Sequence, residues 1–581
     1  MRRLSRFIVL LVPFALIVVL AGCASTTGPS APQRLQVQDV SATSSVLVTT
    51  GSPESPFPRN KQNEPAVAID PSTGVVAAGS NDEIDLAPCQ GNDCPFTSGV
   101  GVSGIYFSSD TGTTWTQPTY DGYSARTGTA QEGPIGTVPN YYEAGLVADG
   151  DPALAFGPKP GTDGTFSWDN GSRLYYGNLT SNFPTGVAFK GFEAIAVSHA
   201  DDLTAAAAGT NSAWSSPVIV SKQNSALFSD KDALWADNAA TSPYFGHVYM
   251  CNVAFRSVGY GGAPEPVIFA LSTDGGDTWS TRQISSAANT GLGQGRQGCA
   301  IRTDSQGTIY VFYESAAHKK STPPVFDQAI LMTRSTNGGR TFSPPVVVAP
   351  VTECGQYEPA LGDVFFDGVA GARTDSFPSV DIANGAPSGA DATNTIAVTW
   401  CDASNGLNHE QALVTLSTDG GSTWSSPVNA AESSDRPDFP SIAISPNGDD
   451  LYLTYMGFKT DYQSSTADPR MMQGVVRYAS TSDPSSWSTL HRGLAGDARA
   501  SSANSLTAEF LGDYTYVAAT NSGAVAVWTD VSNAIDCPAV DTYRQSLLDG
   551  APIARPAPAT DCGVNNTFGN SDIASFTATK P

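Results

Sequence analysis

The sequence predicts an all-β fold assembled from repeated small sheets, and three observations predict it. First, one turn motif recurs. Ser272–Trp279 (STDGGDTW) returns almost unchanged as Ser417–Trp424, and again as Ser335–Phe342 with Asn337 for the aspartate and Phe342 for the tryptophan. Ser108–Trp115 is a fourth copy and Ser480–Trp487 a worn fifth. Second, 56 glycines and 40 prolines set against only 15% charged residues describe many short strands joined by turns. Third, a second repeat runs out of phase with the first: a polar or acidic residue, often next to proline, then a strand of small apolar residues. Self-similar elements tens of residues apart mark a repeat architecture.

The turn motif has a physical logic. An Asp or Asn side chain accepts hydrogen bonds from nearby backbone N–H groups, and the glycines after it take positive φ without strain. Thr and an aromatic residue then open the next strand, and a covered aromatic ring buries roughly 150–250 Å². A lone hairpin cannot bury its own apolar face, so the copies must pack against one another. These repeats resemble the Asp-box (BNR) repeats of the sialidase-like β-propellers. The resemblance implies four-stranded blades, with each box at the periphery on the hairpin between the third and fourth strands. Read so, the boxes report fold and not chemistry.

Taken in order, the chain begins with Arg2, Arg3 and Arg6 ahead of an apolar run from Phe7 to Leu20, closed by Leu20-Ala21-Gly22-Cys23. A basic start, a short apolar core and small residues describe an export signal over residues 1–22. The run contains Pro13 and falls short of the roughly 20 apolar residues that span a bilayer. Leu-Ala-Gly-Cys matches the bacterial lipobox, which implies lipidation of Cys23 and anchorage to the outer face of the cell membrane. Residues 23–50 then read as a tether, rich in Ser, Thr, Pro and Gly at its start, although patchy alternation in Leu35–Thr50 also suits an outer strand. Residues 51–581 read as one large propeller with no helix-period stretch of useful length.

The second repeat counts the blades. Its copies begin near Asn63, Asp151, Asp230, Arg296, Asp375, Asp438 and Asp513. Small alternating residues suit innermost strands crowded round a central channel. Seven candidate blades follow, with six as the alternative. The second lacks a clear box, and its outer hairpin is expected between Ala194 and Val220. The final run Ile573–Ala578 is expected to complete the last blade, with Cys537 to Cys562 as an inserted loop. Joining the chain ends in one blade would abolish an open edge.

Residues entering the innermost strands converge on the channel mouth, where function must be sought. The resemblance implies a three-arginine clamp for a substrate carboxylate, because planar guanidiniums donate bidentate bonds. Arg296, Arg373 and Arg436 are its candidates. It also implies a tyrosine nucleophile with an activating glutamate, for which Tyr514 and Glu314 are candidates, and an acid/base carboxyl, for which Asp82 is the candidate. The activity implied is that of an exo-α-sialidase-type glycoside hydrolase acting on extracellular glycans. The chain departs from the family at one place: the Phe-Arg-Ile-Pro signature of the first blade is replaced by Asn63-Glu64-Pro65. The alternative is a non-catalytic propeller that binds glycan or an envelope protein. Blander readings compete residue by residue: Asp151, Asp375 and Asp438 as turn caps, and Arg373 and Arg436 as structural ion-pair partners of nearby aspartates.

Thirty basic against 55 acidic residues give a formal charge of −25, which argues against nucleic acid or an anionic membrane surface as partner; the lipid is the expected membrane contact. Nine cysteines leave an even number once Cys23 is set aside, as suits disulfides in an oxidising compartment. Cys89 with Cys94 and Cys537 with Cys562 are the first candidate pairs; Cys251 with Cys299 and Cys354 with Cys401 remain. No CxxC pair and only five histidines make zinc a poor fit. No cofactor is required, and a ring of aspartates round a channel leaves room for a structural calcium.

Overall fold

Seven antiparallel sheets, each led by one of the small-residue strands, follow one another round a ring in the computed structural model. The structure describes residues 44–49, 61–87, 96–222, 229–255, 265–286, 294–319, 325–563 and 567–581, all within the compact unit Thr43–Pro581. The segment expected to be an export signal, Cys23, Cys89 and Cys94 lie outside the described residues.

The innermost strands are Gln62–Ile69, Ala153–Pro160, Ser229–Ala236, Gln294–Thr303, Ser379–Ile382, Arg436–Ile444 and Tyr516–Thr520. Each neighbours the next, and the last returns to the first, so the ring closes. Alanines such as Ala66, Ala153, Ala233 and Ala443 fill these strands because seven of them converge where a larger Cβ substituent would collide. The count of seven candidate blades therefore stands.

Closure uses both ends of the ordered chain. Blade seven comprises Tyr516–Thr520, Gly523–Asp530, Asp572–Thr579 and, outermost, Val46–Leu47, with Val46 opposite Ser575. The outer-strand reading of Leu35–Thr50 is the one realised, so the ordered sheet begins before residue 51.

The boxes sit between third and fourth strands. In blade three, Ser272 Oγ donates to Asp274 Oδ1 at 2.8 Å, Gly276 N donates to Ser272 Oγ at 2.8 Å, and Thr278 N donates to Asp274 Oδ1 at 2.9 Å. Ser417, Asp419, Gly421 and Thr423 repeat this wiring in blade five. Every box aromatic packs on the blade before it: Trp279 against the core holding Tyr175, Phe342 on Phe269, Trp424 on Phe312, and Trp115 with its indole N–H on Ser575 Oγ at 3.0 Å. The box glycine is required on two counts at Gly339: its φ is +79°, and a Cβ there would lie 2.7 Å from the Phe269 ring. In blade two the box is replaced by a short helix, Leu203–Ala207, which Asp202 caps by accepting from Ala205 N at 2.9 Å. It lies between Ala194–Ala200 and Val218–Lys222, where the missing box was expected.

One expectation fails. The insertion between Cys537 and Cys562 contains an 11-residue helix, Pro538–Leu548. Proline at its first turn is a start signal. Its buried side chains are mixed: Val540 and Tyr543 join an apolar cluster with Leu506 and Phe568, while Asp541, Arg544 and Ser546 interrupt the apolar stripe with polar groups. Arg544 is satisfied there by the carbonyls of Ser501 (2.9 Å) and Ala508 (3.1 Å). Three disulfides are formed: Cys537–Cys562 within this insertion, Cys251–Cys299 between blades three and four, and Cys354–Cys401 between the exit of blade four and blade five. Among the described residues no helix is long and apolar enough to cross a membrane.

Candidate functional site

The innermost strands enter the ring through a repeated irregularity. Register shifts fall between Asn63 and Ala66, Asp230 and Ala233, Gln297 and Ala300, and Asp438 and Ser441. At the same place in their blades Glu64 (φ +55°), Asp151 (+54°), Lys231 (+54°) and Phe439 (+46°) adopt the left-handed conformation, as does Gly298 (+59°). Bulges re-aim side chains, and non-glycine residues held there store strain that a fold retains mainly at functional sites. Here the bulges of the first three blades turn Glu64, Asp151 and Lys231 towards one another. The proline of Asn63-Glu64-Pro65, Asp151-Pro152 and Asp438-Phe439-Pro440 follows the bulged residue and fixes the chain as it leaves.

Charges from distant blades meet at this mouth. Arg373 is bound bidentately by Asp513, Nε to Oδ1 at 2.7 Å and Nη2 to Oδ2 at 2.6 Å, and its Nη2 lies 3.7 Å from Glu64 Oε1. Lys231 Nζ lies 3.4 Å from Asp513 Oδ2 and sits over the rings of Tyr514 (4.3 Å) and Phe377 (4.5 Å). Asn81 donates to Glu64 Oε2 at 2.7 Å and accepts from Asp151 N at 2.7 Å, holding the two acids in register. Burial, and then the Glu64 charge, pushes Asp151 well above the usual carboxylate range; burial and Asp513 raise Glu64. Burial also works against Asp513, but Arg373 and Lys231 outweigh it and hold Asp513 down to about 2. Further round the mouth, burial and Asp230 raise Asp232 to about 8, and burial and Asp230 do the same to Glu193.

The candidate residues are distributed differently from expectation. Arg436 is buried and spoken for: Nε and Nη2 bind Glu410 at 2.8 and 2.9 Å, and the Phe366 and Thr460 carbonyls accept the rest at 2.7 and 3.0 Å. Arg373 faces the mouth, but its fork is closed by Asp513. Arg296 is 7% exposed at the start of blade four, with its backbone N–H on Glu265 at 3.1 Å. Two of the three guanidiniums are thus neutralised by carboxylates of the chain, and Arg296 is not joined to either. The competing ion-pair reading of Arg373 and Arg436 is nearer the geometry, although the partners are Asp513 and Glu410 and not the adjacent aspartates. Asp82 is fully buried and accepts from Gln62, Tyr106, Gln117 and the backbone of Ile84 at 2.7–3.0 Å. It ties blade one together and has no oxygen left to protonate a leaving group.

Tyr514 does line the channel, along with Asp151, Lys231, Phe377 and Phe439. Burial, followed by the charges of Asp151 and Glu64, keeps its phenol well above its ordinary value and hence protonated. Glu314 is not the carboxylate beside it. That glutamate lies with Glu353 and Asp375, their ligand oxygens all within 4.8 Å of one another. The acids that do bear on Tyr514 are Asp151, Glu64, Asp232 and Asp513. Sequence reasoning missed Lys231, Asn81, Phe377 and Glu353. Lys231 alone had a signal: it occupies in blade three the slot that Glu64 and Asp151 occupy in blades one and two.

No family model matches the chain, and no curated protein sequence matches it. Solved structures do. The chain is similar to the Hadza microbial sialidase Hz136, at 12% identity and a TM-score of 0.37 over 68% of this chain and 63% of that one, so it spans less than two thirds of that sialidase. It is also similar to the GH93 α-L-arabinofuranosidase of Fusarium graminearum solved with arabinobiose (13% identity, TM-score 0.40, 72% and 92% covered). The Trypanosoma rangeli sialidase solved with the inhibitor DANA is a third (11%, 0.37, 76% and 58%). At these TM-scores the likeness carries no argument about this chain, and the β-propeller is read from its own seven sheets.

Proposed function

We propose that the channel mouth binds an extracellular glycan that carries no carboxylate, in a protein exported and held at the outer face of the cell membrane through lipid on Cys23. One observation carries this reading: the guanidiniums of Arg373 and Arg436 are closed by Asp513 and Glu410, so no assembled clamp awaits an anionic sugar. What the mouth offers a ligand is carboxyl oxygens, an ammonium and the faces of Tyr514 and Phe377. Hydroxyls of a neutral sugar donate to and accept from such groups, and its C–H faces stack on the rings. The three disulfides are in keeping with an extracytoplasmic location.

An exo-α-sialidase remains the activity that the repeats resemble. Its three-arginine clamp has no counterpart in the contacts described above, and the glutamate that bears on Tyr514 is Glu64 and not Glu314, so binding leads. A second reading has its own observation. Asp151, buried beside Glu64 and pushed well above the usual carboxylate range, is a carboxyl that can keep a proton for a glycosidic oxygen, which favours hydrolysis of a neutral glycoside. A glycan array separates the three. Retention of neutral glycans, weakened at least about tenfold by Tyr514→Ala, supports the proposal. Reporter release from neutral glycosides that disappears in Asp151→Asn supports the second reading. Turnover of sialosides, or retention of sialylated glycans alone, overturns both.

A further inference from the structure

We propose that Glu314, Glu353 and Asp375 form a divalent-cation site, calcium being the best-fitting ion, that pins blade four to blade five. The three acids come from separate places: Glu314 from the second strand of blade four, Glu353 from its exit just before Cys354, and Asp375 from the approach to blade five. Their ligand oxygens lie within 4.8 Å of one another. Oxygens bound about 2.3–2.6 Å from one calcium ion can lie no farther apart than roughly 5 Å. The spacing is that of a coordination sphere.

A second observation points to a ligand there. Glu314 is 4% exposed, and its Oε1 is buried with no hydrogen-bond partner among the described residues. Glu353 Oε1 is buried and unpartnered as well, while Gln328 donates to the other oxygen of that carboxylate at 2.8 Å and so orients it. Gln297 stands directly across the ladder from Glu314, on the same face, and its carbonyl Oε1 is a third buried acceptor without a donor. Three orphaned acceptors side by side are costly in a fold that satisfies nearly all its buried polar groups. A hard cation satisfies all three at once; a proton placed on one carboxyl does not.

The site is distinct from the glycan-binding mouth and does not depend on that reading. Its test uses the whole exported chain, stripped with chelator and then titrated with calcium chloride at neutral pH, with magnesium chloride in a parallel arm. The expected result is about one calcium retained per chain by elemental analysis and a saturable rise in Tm of about 2 °C or more. Glu314→Gln should abolish both while raising Tm in chelator, because it removes repulsion from the empty triad. Asp375→Asn serves if that variant fails to fold. Absence of retained metal and of any Tm shift with either ion in the wild-type chain overturns the proposal, as does a calcium response unchanged in both variants.

Discussion

Carboxylates at the rim and at the mouth of this ring arise from repeats of the same chain, yet they are held in different ways, and Asp419 and Asp232 end in opposite states. At the rim, Asp419 is in water and receives bonds from Thr423, Ser417 and Ser422, which lower it to about 2. Asp274 is lowered too: burial, the largest single influence, raises it, but the bonds from Thr278 and Ser272 together outweigh that cost. Each rim acid is surrounded by donors from its own turn. At the mouth, Asp232 is raised to about 8 and neither of its oxygens has a hydrogen-bond partner among the described residues. A local turn can satisfy an acid with its own backbone. An acid brought to the hub by a bulge depends on what six other blades deliver. Self-sufficient acids thus mark structure, and dependent ones mark the place where something else is to bind.

Three substitutions would break or sharpen that contrast. The largest effect is expected from Arg436→Ala, which leaves Glu410 buried without its partner; side-chain exposures of 5% and 0% put the pair in the interior. A loss of about 3–5 kcal/mol in denaturant unfolding is expected, and a loss near zero would restore Arg436 to the role of an available clamp. Next, Asp274→Ala removes the acceptor of one rim turn and should cost about 1–2 kcal/mol with no effect on glycan retention. If it altered binding, the boxes would no longer be purely architectural. The third effect depends on pH and carries a sign. Asp232 keeps a proton in the native chain up to about pH 8 that the unfolded chain, with an ordinary value of 3.8, has already released. Its contribution is complete below about pH 4 and is lost as the pH climbs through about 8. Asp232→Asn should therefore match wild type in Tm at low pH and exceed it increasingly towards pH 8. Equal profiles would mean that the acid is solvated.

The contrast also explains what could be read in the sequence. The boxes are local: eight residues contain the turn, its donors and the ring that covers the seam, so Ser272–Trp279 announced its hairpin unaided. The seven inner strands were legible for the same reason, since small residues beside a polar entrance recur with each blade. The mouth is not local. Arg373 meets Asp513, 140 residues on, and no spacing rule joins them. The resemblance alone pairs Glu314 with Tyr514, and nothing local in the sequence says which neighbours its carboxylate meets. It joins Glu353 and Asp375 instead. The helix Pro538–Leu548 was hidden because its short apolar stripe, Val540, Tyr543 and Leu547, shares the buried face with Asp541, Arg544 and Ser546.

The outermost strand of blade seven has a consequence of its own. Val46 accepts from Ser575 Oγ at 3.2 Å across 529 residues of chain. The segment that emerges first must wait, edge bare, until the last has been made, and only then can the circle latch. Contacts of such long sequence separation form slowly. A folding chain therefore spends its longest vulnerable interval with six blades stacked and the seventh unfinished, and it is there that a chaperone or a protease would find it.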